Sequence, residues 1–165
     1  MDMSVPTSSS TLAKPFAGLT LRNIRNSLIV GGQVAGPIHI TNMHDSILVV
    51  ACKQFRMHDS KTVDVYLHCG SRPIIEDCES IRFAPLPNVY ETEGMAKSGE
   101  GENVNLWNQV DDFKWLKSEP SPHWKVLEES ERIDEMIWRE IVPGKPGMGV
   151  KDVLAAARGK SGSER

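Results

Sequence analysis

The chain has 165 residues, 39% of them hydrophobic, and a formal net charge of −3 at neutral pH. That length is enough to bury the core of one globular domain. The balance of charge argues against a nucleic-acid partner, and no run approaches the roughly 20 apolar residues of a membrane-spanning helix.

Residues 1–15 are rich in Ser, Thr and Pro and read as a disordered tail or the remnant of a linker. The start, Met1-Asp2-Met3-Ser4, has neither the apolar region of a signal peptide nor the glycine that N-myristoylation requires. A short apolar segment from Phe16 to Ile24 leads into a series of short strands. Their apolar pairs fall at Leu28/Val30, Ile38/Ile40, Ile47/Val49, Phe55/Met57, Val63/Val65, Ile74/Ile75 and Ile81/Phe83. Turn formers separate them: Gly31-Gly32, Gly36-Pro37, His58-Asp59-Ser60 and Gly70. The stretch from Val63 to Cys69 alternates apolar and polar, which predicts one buried face and one wet face.

Short strands at such even spacing fit a sandwich or a parallel β-helix. Two features favour the β-helix. No Asn-Gly or Asp-Gly hairpin dipeptide occurs among the strands. Small residues and cysteines (Ala51, Cys52, Cys69, Cys78) recur at apolar positions, as a narrow stacked interior requires. The three cysteines contain no C-x-x-C pair and are odd in number, which points away from a disulfide scaffold and toward a reducing cytosolic compartment.

After Pro87 the character changes. Residues 91–104 are acidic and glycine-bearing and read as a mobile loop. All four tryptophans follow, at Trp107, Trp115, Trp124 and Trp138. The stretch from Trp107 to Trp124 is expected to cover the open end of the β-helix, whose last strands otherwise present unpaired edges. Ser130 is a candidate N-cap for an amphipathic helix with Ile133, Met136, Ile137 and Ile141 on one side, ended by Pro143. A weaker helix over about residues 150–158 precedes a polar tail. The expected organisation is therefore an all-β domain over 16–127 and a helical extension over 128–165.

With Phe55 and Met57 pointing inward, strand alternation puts Gln54, Arg56 and His58 on the outer face. Arg56 and Glu76 lie 20 residues apart. A coil of roughly 20 residues would stack them about 4.8 Å apart on neighbouring strands. Two readings of that pair stand side by side: a weakly stabilising cross-strand ion pair, or a guanidinium held ready for a phosphate or carboxylate. Other candidates carry less. Adjacent residues in His58-Asp59-Ser60 cannot form a catalytic relay. Gly31 to Gly36 lacks the Lys-Ser/Thr of a phosphate loop, so the chain is expected to bind no nucleotide or other cofactor itself. The histidines and cysteines lack metal-ligand spacing, and no metal is expected.

From about Phe16 to Leu127 the chain resembles the C-terminal domain of the tubulin-binding cofactor C family. The likeness rests on six segments: Asn26 to Gly31, Gly36-Pro37-Ile38-His39-Ile40, Gln54-Phe55-Arg56, Ser71-Arg72-Pro73-Ile74-Ile75-Glu76-Asp77-Cys78, Phe83-Ala84-Pro85, and Trp107 to Phe113. That resemblance implies a right-handed parallel β-helix and, by function, activation of a GTPase. Arg56 would be an arginine finger inserted into a partner's nucleotide site, Glu76 and Gln54 its orienting residues, and Phe113 an aromatic packing on the partner; composition alone allows Phe113 at least as readily to be a core or capping aromatic. Where the family commonly has glutamine this chain has Lys53, a point charge able to meet a phosphate or an acidic surface. The implied partners are α/β-tubulin carrying GTP and tubulin-binding cofactors D and E, in the cytoplasm and associated with the cytoskeleton. An Arf-like small GTPase is the alternative target, as for the family's retinitis pigmentosa relative. A non-catalytic binding scaffold, as in the distantly related cyclase-associated protein, is the alternative role.

Overall fold

Among the described residues, eight non-glycine positions with positive φ set the shape of the coils, and they come in pairs three residues apart: Asn23 and Asn26, Asn42 and Asp45, Asp59 and Thr62, Asp77 and Ser80. Asn and Asp tolerate this left-handed conformation better than other side chains. Each pair bends the chain at the same corner, so that successive coils stack. The Asn42 side-chain amide donates to Asn23 Oδ1 at 2.8 Å, joining two of the corners directly. Thr62, β-branched at φ 59°, is the strained member of the series. Thr62→Asn is accordingly expected to raise stability by about 1 kcal/mol, read as a shift in the urea midpoint at unchanged slope.

The structure is a computed structural model and describes residues 16–92, 104–141 and 155. The expectations for residues 1–15, for most of the 91–104 loop and for a helix over 150–158 fall outside these residues. Nine strands are described: β1 (Leu19–Arg25), β2 (Leu28–Gln33), β3 (Pro37–Cys52), β4 (Gln54–His58), β5 (Lys61–Cys69), β6 (Ile74–Glu76), β7 (Glu79–Pro85), β8 (Asp111–Asp112) and β9 (Trp124–Val126). All of their pairings are parallel. The long strand β3 turns the corner without a break. Its first half lies between β1 and β4, and its second half between β2 and β5. One face of the solenoid therefore runs β1-β3-β4-β6-β8 and the other β2-β3-β5-β7-β9. This is the expected parallel β-helix, and every apolar pair singled out in the sequence lies on a strand.

The coil length differs from the expected one. His39 pairs with Arg56 and Arg56 with Ile74, steps of 17 and 18 residues rather than 20. Inside, Ile40, Met57 and Ile75 form one inward column. Phe55 meets Phe83 edge to face at 5.8 Å, and Phe83 meets Trp124 at 6.0 Å. The inward column ends on Asp112, which pairs with Ile75. Its carboxylate accepts hydrogen bonds from Ser121 Oγ at 2.7 Å and from the His123 ring. Residues 107–126 thus close this end by adding β8 and β9 to it, with Trp107 and Trp124 packed against the core.

The second face is not wet. Ile47, Val49, Ala51, Tyr66, Ala84 and Leu86 point outward from the solenoid, yet they are buried under Leu127, Ile133 and Trp138. Trp138 packs edge to face on Tyr66 at 4.9 Å, and the Tyr66 hydroxyl accepts the Ile133 N–H at 3.1 Å. Asp64 is buried in the same layer, so the wet face expected for Val63 to Cys69 is corrected: a later segment covers it. The expected C-terminal helix also changes. Ser130 lies within a 3-10 turn (Glu129–Glu131) rather than capping a helix, and wider π-type winding spans Ile137–Ile141. Trp138 is buried within that winding, and Met136, just before it, is 61% exposed.

Candidate functional site

Arg56 stands on the middle strand of the β1-β3-β4-β6-β8 face. Alternation along β4 fixes its direction: Phe55 and Met57 are buried, and Gln54 and Arg56 are exposed. The strand is anchored on both sides. At its start the Lys53 N–H donates to Gly36 C=O at 3.1 Å, and the Lys53 carbonyl accepts from Ser71 Oγ at 2.7 Å. Gly36 must be glycine, because a Cβ there would lie 2.4 Å from the Ala17 carbonyl oxygen. The backbone at Lys53 is therefore fixed while its side chain remains exposed.

The register corrects one expectation. Glu76 pairs with His58, and Ile74 is the residue opposite Arg56. Glu76 Oε1 lies 2.9 Å from His58 Nδ1, and Glu76 Oε2 lies 4.0 Å from Lys114 Nζ. Direct stacking of Glu76 on Arg56 does not occur, because the coil is shorter than 20 residues. Among the described residues Arg56 has no ion-pair partner. Phe113 continues the edge beyond β8, its N–H donating to Ile75 C=O at 2.9 Å, and is 66% exposed. It is not a capping aromatic.

Two ion pairs frame this surface. Arg72 grips Asp111 through both carboxylate oxygens, at 2.9 and 2.6 Å, and Lys114 meets Asp77 at 2.9 Å. The hydrogen bond from Arg72 holds the Asp111 carboxyl below the usual carboxylate range. A depressed carboxyl contributes stability above its unfolded pKa and loses it as pH falls through the folded value. Both partners are substantially exposed, so Asp111→Ala is expected to cost at most about 1 kcal/mol at neutral pH and nothing in acid, measured by urea unfolding across pH.

A groove of about 520 Å³ follows the corner between the two faces, lined in part by His44, Asp59, Asp77, Asp112, Lys114 and His123. Its cysteine, Cys78, is buried and its thiol pushed up to about 11, chiefly by burial, so it carries no thiolate near neutral pH. Among the described residues no group of three or more His, Cys, Asp and Glu side chains is arranged to hold a metal ion, and no helix is long and apolar enough to cross a membrane. The contact that the sequence analysis missed is the one between His58 and Glu76. His58 stood in a segment dismissed as a relay, and its link to Glu76 depends on register.

The family model described as Tubulin binding cofactor C matches residues 4–113, which include Lys53, Gln54, Arg56, Glu76 and Phe113. The chain belongs to the tubulin binding cofactor C family. It is 40% identical over 117 residues to Tubulin-folding cofactor C of Arabidopsis thaliana, covering 70% of this chain and 34% of that protein. Identity to Tubulin-specific chaperone C of Mus musculus is 38% over 117 residues, covering 69% and 34%. The chain thus spans about a third of the length of these relatives. Among solved structures it is similar to Tubulin Binding Cofactor C from Leishmania major, with a TM-score of 0.61 and 27% identity, covering 69% of this chain and 80% of that one. The cofactor C family therefore accounts for the β-helix and for the segments around Arg56. The segment from Leu127 to Trp138, which buries the second face, lies beyond the family match.

Proposed function

We propose that this chain is a GTPase-activating module of tubulin folding, delivering Arg56 in trans to the nucleotide site of β-tubulin. The observation that carries the reading is Arg56 itself: its side chain is exposed on the middle strand of the face, without an ion-pair partner among the described residues. A guanidinium is a fork of N–H donors that stays charged. Placed against GTP, it would offset the negative charge that develops as the γ-phosphoryl group is transferred. The relatives, whose names tie them to tubulin, support this choice of target. Lys53 and Gln54 would border the nucleotide site, and Phe113 would pack on the partner beside it. Within this reading tubulin is presented together with cofactors D and E, in the cytoplasm. GTP hydrolysis by tubulin in the presence of those cofactors tests it: added chain accelerates phosphate release, and no acceleration rejects the assignment.

A further inference from the structure

The reading above leaves His58 unused, yet its ring is held by a carboxylate on the finger face. Its ring Nδ1 lies 2.9 Å from Glu76 Oε1. A carboxylate can only accept, so Nδ1 carries the shared proton. In the neutral ring the other nitrogen, Nε2, is then an acceptor. The His58 side chain is 41% exposed and that of Glu76 22%, so the ring is the more accessible of the two. Along β4, His58 and Arg56 point the same way, about 6.6 Å apart in backbone rise. Phe113 follows Asp112 on β8 and flanks the same row beyond Glu76. A part-exposed ring fixed through one nitrogen by a carboxylate, with no hydrogen bond to the other among the described residues, is an arrangement by which a histidine can receive a proton in hydrolysis.

Resting on the finger reading, we propose that His58 is a second catalytic residue of this face: its Nε2 orients and deprotonates the water that attacks the γ-phosphate contacted by Arg56. Glu76 is the positioning residue that fixes the ring. In the step, the water oxygen bonds to the γ-phosphorus while the bond to the β–γ bridging oxygen breaks, and that electron pair leaves with GDP. Nε2 takes the water's proton and returns it to the phosphate released.

The test uses GTP hydrolysis by tubulin with cofactors D and E, titrated with each variant. His58→Ala is expected to lower the maximal rate about 10²-fold, the usual contribution of a positioned base, with the half-maximal concentration and the thermal midpoint unchanged. His58→Gln, whose longer amide can still hold a water, retains far more activity than His58→Ala. Glu76→Ala lowers the rate in the native background and has no further effect in the His58→Ala background. If wild type and His58→Ala share the same maximal rate while Arg56→Ala does not, the inference about His58 is wrong and the finger stands. If Glu76→Ala costs as much in the His58→Ala background as in the native one, Glu76 acts on Arg56 and its assignment to His58 is overturned. If Arg56→Ala also behaves as wild type, the finger reading fails and the inference falls with it.

Discussion

Arg82→Met is expected to destabilise the domain by about 3–5 kcal/mol, the usual consequence of stripping one partner from a buried ion pair. Arg82 donates to both carboxylate oxygens of Asp64, at 2.8 and 2.9 Å, and to Glu131 at 2.7 Å. The side chains of Arg82 and Asp64 are 3% and 2% exposed. Without the guanidinium, Asp64 keeps a charge in a layer built from Tyr66, Leu127 and Trp138, where water cannot compensate it. The same energetics predict that adding Asp64→Leu to Arg82→Met recovers most of the loss, because an apolar pair of similar volume carries no desolvation cost. Urea unfolding of both variants measures this. A single variant within about 1 kcal/mol of wild type would mean that the second face is not sealed by the segment from Leu127 to Trp138.

Arg56→Lys is the more revealing substitution at the finger. It preserves charge, length class and the exposed strand position, and removes only the planar fork. If catalysis required positive charge alone, lysine would serve. Transition-state stabilisation of a phosphoryl group depends on several directed donors at once, so Arg56→Lys is expected to lose most of an effect worth roughly 10³–10⁵ in rate. Binding should change little, because in the proposed docking Lys53 and Phe113 would still meet the partner. Activity of Arg56→Lys close to wild type would reduce Arg56 to an electrostatic contact.

The strands were legible because their inward residues are strongly apolar and spaced by corners. The coil length was also present in the sequence, in the recurrence of Asn23/Asn26, Asn42/Asp45, Asp59/Thr62 and Asp77/Ser80, but a left-handed Thr or Ser gives no compositional warning. The misjudged coil length moved Glu76 from His58 onto Arg56, and so hid the pairing of His58 with Glu76. The resemblance located Arg56, and strand alternation alone turned it outward. The covered second face was not legible from Val63 to Cys69, since alternation reports two environments and not which later segment screens the outer one. Trp138 was missed because helical periodicity assumes regular winding, and the 3-10 and π-type turns shift the buried stripe.

Phosphate release from GTP on tubulin, measured with cofactors D and E and saturating amounts of either wild-type chain or Arg56→Ala, bears most directly on the finger. Wild type is expected to stimulate release, and the variant, with an unchanged thermal midpoint, about 10³-fold less. Equal stimulation by the two proteins would contradict the finger reading.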